Sequence, residues 1–184
     1  EIPDDMITKY SFPKQFTFKP SDSAINEAIE LIRESDNLMI WAGQGVLMAE
    51  ATHELQELAE LLSVPVFTTM PGKSAFDERH ELSLGAGSTT TTLAAKEFLT
   101  SCDTILGLGT SFTRTPYSQQ IPSGKTIIQN VDNPDSINKD ESIDVALIGD
   151  TKETIIELTN KLKELFGESR MDNNDIRELI AKYK

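Results

Sequence analysis

The fold of this chain is decided by the segment LMIWAGQGV, residues 38–46. A short apolar run ends there at Gly-x-Gly and passes directly into an amphipathic segment, which is typical of a buried parallel strand followed by a turn and a helix. Backbone N–H groups at such a turn can bind an anion or a nucleotide. The same ending recurs in ILGLG, residues 105–109. The sequence therefore predicts a crevice between the carboxyl ends of two neighbouring strands.

The composition is typical of one globular domain with a core of its own, with 184 residues, 38% hydrophobic and 26% charged. The formal net charge of −13 argues against a nucleic-acid-binding surface, because phosphate contacts need basic patches. No apolar run approaches the roughly 18 residues of a membrane span, so no membrane segment is predicted. A single cysteine, Cys102, excludes an internal disulfide and is typical of a reducing compartment, so we expect a cytoplasmic protein.

Apolar periodicity and turn residues predict strands that alternate with helices along the chain. The predicted helices are residues 21–35, 47–62, 89–101, 151–166 and 173–183. The predicted strands are residues 38–42, 65–69, 82–85, 104–108, 125–130 and 144–148. Such alternation forms a parallel sheet, and right-handed crossovers restrict its topology. The predicted fold class is therefore α/β, a doubly wound, six-stranded, mainly parallel Rossmann-like sheet with helices on both faces.

Three parts of the chain differ in their pattern. Residues 1–20 are polar, carry three prolines and show no periodicity, which predicts an interdomain linker. Residues 21–167 carry the alternating pattern and are expected to form the domain itself. Residues 168–184 are expected to form a C-terminal helix or a linker to a further domain. A linker at the front indicates a piece of a longer polypeptide.

The predicted crevice supplies the first candidate binding residues. In the usual strand order 3-2-1-4-5-6, the first and fourth strands are neighbours at the point where the winding reverses. The glycines there also have a purely structural interpretation, because they let a strand turn into a helix without a Cβ clash. Both interpretations stay open for the candidate residues at the two strand ends, which are Gly43, Gln44, Gly45, Gly109, Thr110 and Ser111.

The dinucleotide-binding fingerprint is incomplete in two places. Met48 stands where the third glycine of Gly-x-Gly-x-x-Gly is expected, and two threonines, residues 68–69, stand where an acid would bind the ribose. An ordinary NAD-dependent dehydrogenase is therefore not expected. The sequence also lacks a Walker A loop, since GKS, residues 72–74, has no glycine at the required distance before it.

Isolated reactive side chains are expected to be structural. Cys102 lies beside Asp103, which disfavours the thiolate. His80 has several acids nearby, but a solvated loop is a more common setting for it than a metal site. Asp150 is expected to cap the helix that follows it. A polar loop at residues 114–120 is expected at the crevice edge, where it would shape a substrate entrance or a subunit contact.

An ordered set of short motifs resembles one family. The motifs are AGQGV (42–46), PVFTT (65–69), HELSLG (80–85), DTILGLG (103–109), KTII (125–128) and GD (149–150). Together they resemble the central domain of thiamine-diphosphate-dependent enzymes of the acetolactate synthase type, over residues 21–166. The resemblance implies a DHS-like NAD/FAD-binding fold.

The resemblance also implies where the chemistry of such enzymes lies. Thiamine diphosphate and Mg²⁺ bind between two other domains, a pyrimidine-binding domain and a diphosphate-binding domain, and the full-length enzymes decarboxylate a 2-keto acid and transfer the resulting carbanion. The diphosphate motif is not matched here, because residues 149–151 read GDT without a second glycine. We therefore expect no catalytic residue and no metal ligand in this chain. The expected partners are the two flanking domains, within a homodimer or homotetramer.

Some relatives bind FAD in the central domain, whereas others bind ADP or nothing. The turn that reads Gly-Met-His-Gly in FAD-binding members is Gly85-Ala86-Gly87-Ser88 here, and Ser111 stands at the position of their arginine. Their Asp-Ile-Asp-Pro segment reads Val-Asp-Asn-Pro at residues 131–134 here, where Asp132 is the one acid. Gly85, Gly87 and Asp132 therefore join the candidate residues. FAD, ADP and an empty crevice stay open, as does a stand-alone nucleotide-binding or flavin-binding module similar to electron-transfer flavoproteins.

Overall fold

The computed structural model describes residues 16–166 and 174–183, and within them the chain forms one six-stranded sheet. The strands are β1 (Leu38–Ala42), β2 (Val66–Thr69), β3 (Ser83–Gly87), β4 (Thr104–Leu108), β5 (Thr126–Val131) and β6 (Val145–Ile148). The helices are α1 (Asp22–Glu34), α2 (Gln44–Met48), α3 (Thr52–Leu62), α4 (Leu93–Ser101), α5 (Thr151–Phe166) and α6 (Asn174–Tyr183). A single 3₁₀ turn, Pro134–Ser136, follows β5.

The predicted doubly wound topology is confirmed. The strand order is β3-β2-β1-β4-β5-β6, and all five neighbouring pairs are parallel. Successive strands are added outward from β1 on one side of the sheet and outward from β4 on the other. The carboxyl ends of these two central strands therefore form the topological switch point. The register pairs Ala42 with Leu108, which brings the two Gly-x-Gly turns side by side.

Two helix boundaries differ from the predicted ones. Two helices, α2 and α3, stand where one helix was predicted at residues 47–62. Glu50, between them, has a left-handed φ of 51°, which interrupts the helical backbone. The helix predicted from residue 89 begins at Leu93, because the Thr92 hydroxyl accepts the Ala95 N–H at 3.1 Å and caps it. The helical period of residues 89–101 predicts an inward-facing Leu93, but this first residue of the helix is 54% exposed.

Helices cover both faces of the sheet, as predicted. One face packs against α1, α3 and α5, with buried side chains such as Ile29, Leu58 and Ile155. The other face packs against α4 and α6, around Trp41 and Phe98. The Ser21 hydroxyl accepts the Ala24 N–H at 3.3 Å and caps α1, which confirms the predicted helix start.

The predicted C-terminal helix is present as α6 and packs on the domain core. Ile180 is 1% exposed, and the Arg177 guanidinium lies 2.6 Å from a Glu81 carboxylate oxygen just before β3. The helix follows the five other helices along the chain and packs beside α4 on the same face of the sheet. The glycine at residue 167 predicts the end of α5, but it lies outside the described residues.

Ile180→Ala is expected to weaken the docking of α6 by about 2–3 kcal/mol, because it removes a buried side chain and leaves a cavity. The loss should appear as faster amide hydrogen exchange within α6, while the sheet exchanges as before, since a terminal helix can detach locally. Leu179→Ala on the same helix is the matched control, because Leu179 is 39% exposed. Equal exchange rates in the two variants would contradict the packing role of Ile180.

Asp103 joins the turn between α1 and β1 to the amino end of β4. Its carboxylate accepts the Ser35 hydroxyl at 2.6 Å, the Asn37 N–H at 2.8 Å and the Asp36 N–H at 3.0 Å. Burial alone would raise the pKa of Asp103, but these donors and the Thr104 hydroxyl outweigh it, and the net pKa is lowered. The folded state therefore favours the ionised carboxylate.

Asp103→Asn is expected to lower the free energy of unfolding by about 2 kcal/mol near pH 6, because hydrogen bonds to a charged acceptor are lost. A lowered folded pKa contributes stability that is present above the unfolded value of about 3.9 and is lost as the pH falls through the folded value. The difference in the free energy of unfolding between the original protein and the variant should therefore shrink as the pH is lowered to about 3. Urea unfolding at several pH values measures this difference, with Asp36→Asn in the turn between α1 and β1 as control. A deficit that is constant with pH would contradict the assigned role.

Candidate functional site: the crevice at the strand ends

A cavity of about 910 Å³ lies at the carboxyl ends of β1 and β4, where the sequence predicted a crevice. Eight of the nine candidate residues line it, namely Gly43, Gln44, Gly45, Gly87, Gly109, Thr110, Ser111 and Asp132. Gly85 is outside the lining and lies at a register irregularity between β2 and β3, with a left-handed φ of 81°. The structure thus brings together all but one of the predicted residues.

The Gly-x-Gly turn after β1 packs directly on the backbone of the turn after β4. The Gly43 N–H donates to Leu108 O and the Gly45 N–H donates to Gly109 O, each at 2.9 Å. A Cβ on Gly43 would lie 2.3 Å from Gly109 O, and one on Gly45 would lie 2.6 Å from Gly109 Cα. The structural interpretation of these glycines is therefore supported, although the close contact joins two turns rather than a strand and its own helix.

The side chain of Asn130 also holds the turn after β4 in place. The sequence analysis did not identify this residue. Its side chain is fully buried, and its Oδ1 accepts the Gly109 N–H at 3.3 Å. Its Nδ2 donates toward Leu147 O at 2.9 Å, Gly149 O at 3.1 Å and the Thr154 hydroxyl at 3.0 Å. The signal that could have revealed it is a polar Gln-Asn pair inside the otherwise apolar strand β5.

Aromatic and apolar side chains form the rest of the wall. Trp41 meets Phe112 edge to face, with ring centroids 5.8 Å apart. Phe112 reaches this position with a left-handed φ of 49°, and its ring fills the space above Gly107 that a Cβ would occupy. Around the mouth, four large apolar side chains are strongly exposed, namely Phe16 (82%), Met48 (79%), Met70 (53%) and Tyr117 (76%).

The charges at the crevice are mostly negative. Arg114, on the polar loop predicted at the crevice edge, is the single cation among the described lining residues. Its guanidinium binds Glu141 through two hydrogen bonds of 2.8 and 2.9 Å, and its backbone N–H donates to Asp140. The hydrogen bond with Glu141 raises the pKa of Arg114, which stays ionised. A contribution of this loop to a substrate entrance or a subunit contact stays a prediction.

Two further acids line the crevice beside this ion pair. Asp132 is exposed after β5. Asp150 accepts the Glu153 N–H at 3.0 Å, which confirms that it caps the helix following it, α5. The crevice lining therefore carries three carboxylates against one guanidinium that is already paired.

These residues do not fit the diphosphate of FAD or ADP. An anion cradle needs free backbone N–H groups at the start of a helix, but those of Gly43 and Gly45 are bonded to β4 and its turn. Helix α2 has five residues, so its dipole is short. Arg114 is held by Glu141 instead of facing the cavity as an unpaired cation. Diphosphate binding would have to displace contacts that hold the two turns together.

His80 is packed rather than solvated, which corrects the sequence-based expectation. Its ring lies edge to face on Phe76 with centroids 4.9 Å apart. Nδ1 accepts the Leu82 N–H at 3.1 Å, so the proton of the neutral ring lies on Nε2, which donates to Glu60 at 3.1 Å. Within residues 16–166 and 174–183, no group of three or more His, Cys, Asp or Glu side chains could hold a metal ion.

Cys102 is a buried thiol at the end of α4. Burial raises the pKa of Cys102, with a smaller raising contribution from Asp103, against the nearby Lys125 ammonium, which lowers it. The neutral thiol is therefore favoured, in line with the structural interpretation. In the part of the chain that the structure describes, no helix is long and apolar enough to cross a membrane.

Comparison with known proteins identifies the class of this domain. The family described as the central domain of thiamine pyrophosphate enzymes matches residues 25–158. The chain belongs to this family, which confirms the resemblance carried by the short motifs. The solved structure of benzoylformate decarboxylase from Polynucleobacter necessarius shares the fold, with a TM-score of 0.68 and 22% identity over 82% of this chain and 29% of that chain.

Individual relatives are acetolactate synthases. The acetolactate synthase of Mycobacterium leprae is 32% identical over 176 residues, which cover 89% of this chain and 28% of that protein. The probable acetolactate synthase large subunit of Methanocaldococcus jannaschii is 34% identical over 162 residues, which cover 83% of this chain and 27% of that protein. The chain is thus acetolactate-synthase-like and spans less than a third of the length of these relatives.

Proposed function

We propose that this chain is the non-catalytic central domain of a thiamine-diphosphate-dependent enzyme that decarboxylates a 2-keto acid and joins the product to an acceptor. The similarity to acetolactate synthases supports this reaction class. The observation that carries the non-catalytic role is the crevice itself, where the Gly43 and Gly45 N–H groups and the single cation of the described lining are bound internally. Such a site is suited to holding two turns together rather than to moving protons or electrons.

The chemistry would then come from the flanking domains of the whole protein. Thiamine diphosphate and Mg²⁺ would be held between a pyrimidine-binding and a diphosphate-binding domain, in a homodimer or homotetramer. We assign residues 1–20 to the linker from the preceding domain, residues 21–167 to the central domain and residues 168–184 to a helix leading to the following domain. The contact between the Asp150 N–H and Phe18 O at 2.8 Å supports a linker that runs beside the crevice.

Expression of the complete gene that contains this sequence tests the proposal. The complete product should convert pyruvate or another 2-keto acid with release of CO₂, and only with thiamine diphosphate and Mg²⁺ present. The 184-residue chain alone is expected to show neither turnover nor calorimetrically detectable binding of thiamine diphosphate. Turnover by the isolated chain, or a complete product that is inactive toward every 2-keto acid tried, would contradict the proposal.

A second candidate function is a stand-alone nucleotide- or flavin-binding module, which the size of the cavity, about 910 Å³, favours but the charges of its lining disfavour. Denaturation of the purified protein, followed by absorbance and mass spectrometry of the supernatant, discriminates the two. Stoichiometric release of a flavin or an adenine nucleotide would favour the module. A complete gene without flanking domains would favour it further.

A further inference from the structure

We propose that the crevice between β1 and β4 binds an uncharged or cationic planar ligand and rejects the diphosphate of FAD or ADP. This goes beyond a scaffold role, because it assigns a ligand class to a cavity that the chemistry of the family does not use for catalysis. The cavity, of about 910 Å³, lies within the usual size of small-molecule sites. The wall, the charges and the backbone donors each point to the same class of ligand.

The wall is suited to a planar ring. Trp41 and Phe112 form an aromatic pair in the lining, and Tyr117 lines the same cavity. Met48 and Met70 also line it, and they are 79% and 53% exposed. Large apolar side chains left exposed around a concave opening are typical of a binding site, and methionine adapts its shape to an inserted ring.

The charges disfavour an anion. Asp132, Glu141 and Asp150 line the cavity, and Arg114 is bound to Glu141 through its Nε and one terminal nitrogen. A diphosphate would bring further negative charge into a site that is partly shielded from water, where repulsion is screened less than at an open surface. A cationic ring would instead be attracted by the carboxylates and by the faces of the aromatic side chains.

Three backbone donors of the turn after β1, which could offset this repulsion, are already used. The N–H groups of Gly43 and Gly45 donate to Leu108 O and Gly109 O at 2.9 Å, and the Val46 N–H donates to Gly43 O at 3.3 Å. Phosphate oxygens would have to compete with these short contacts between two rigid turns. The turn after β1 therefore offers surface to a ring but withholds these three N–H groups from a phosphate.

Matched ligand pairs test the proposal in the full chain. Trp41 is the single tryptophan and lines the crevice, so its fluorescence reports on occupancy without a label. Adenosine is compared with ADP by this signal and by calorimetry, and riboflavin is compared with FAD by flavin fluorescence. At least one phosphate-free compound should bind about tenfold more tightly than its phosphorylated partner. Equal or tighter binding of ADP and FAD, or no binding of either phosphate-free compound, would overturn the proposal.

Charge variants test the physical reason. Asp132→Asn removes a carboxylate from the lining, and Glu141→Gln frees the guanidinium of Arg114 while keeping a side chain of the same shape. Each should improve the binding of ADP relative to adenosine by about threefold to tenfold. Asp135→Asn is the control, because Asp135 is an exposed acid three residues further on and outside the lining. An unchanged ratio in both lining variants, or an equal gain in the control, would overturn the electrostatic basis.

A second copy of the chain is the competing occupant of the apolar mouth. Sedimentation of the protein with and without Met48→Ser decides between the two. A monomer at the concentrations used for titration supports an open site. A dimer that this substitution dissociates would make the mouth an interface and overturn the proposal.

Discussion

Gly43→Ala is expected to lower the free energy of unfolding by about 3 kcal/mol or more, because the added Cβ has no space to enter. It would lie 2.3 Å from Gly109 O and 2.7 Å from Thr110 Cβ, so backbone rather than a flexible side chain opposes it. The turn after β1 would have to move away from the turn after β4, which breaks the hydrogen bonds of Gly43 and Gly45. Chemical denaturation measures the loss.

Gly124→Ala is the matched control for Gly43→Ala. A Cβ on Gly124 meets nothing within 4 Å, but the residue has a left-handed φ of 84°. Its replacement should therefore cost only the conformational penalty of about 1 kcal/mol. If Gly43→Ala costs no more than this control, close packing of the two turns is not the reason for the glycine.

Asn130→Asp is expected to cost about 4 kcal/mol or more at neutral pH, because it replaces two donors with a buried charge of the same shape. The carboxylate would face Leu147 O and Gly149 O, which now accept from the amide at 2.9 and 3.1 Å. Protonation of the new carboxyl would restore one donor and remove the charge. The deficit should therefore be smaller at about pH 4.5 than at about pH 7.5.

The control for Asn130→Asp is Asn133→Asp, three residues further along the chain. Asn133 is exposed, and its Oδ1 accepts the Asp135 N–H at 3.0 Å, which an aspartate can do equally well. Its replacement should change the free energy of unfolding by less than about 0.5 kcal/mol. A similar effect at both positions would show that burial of the Asn130 amide is not the cause.

Most of the fold could be predicted because its signals are local. The apolar run of residues 38–42, the glycines after it and the amphipathic periods of α1 and α5 each report on a few consecutive residues. The errors fall where a single residue departs from its local pattern. Glu50 interrupts an apparently continuous helical period with a left-handed turn, and Thr92 starts a helix later than the preceding threonines suggest.

The place of the candidate site could also be predicted, because parallel strands end at one edge and the strand order specifies which ends meet. Its chemistry could not. The sequence left the glycines open between a nucleotide cradle and a structural turn. The partners that decide between them, Leu108 O and Gly109 O, are more than sixty residues away along the chain. The pairing of Arg114 with Glu141 likewise depends on a residue 27 positions further along the chain.

The sequence by itself determined the class of fold, the order of the strands and the family of this protein. These follow from apolar periodicity, from turn residues and from motifs whose meaning does not depend on distant neighbours. Only the tertiary structure decided which polar groups at the crevice are already bound. Hydrogen bonds and ion pairs depend on the distance between groups in space, so the same Gly-x-Gly turn can face a ligand in one domain and a neighbouring strand in this one.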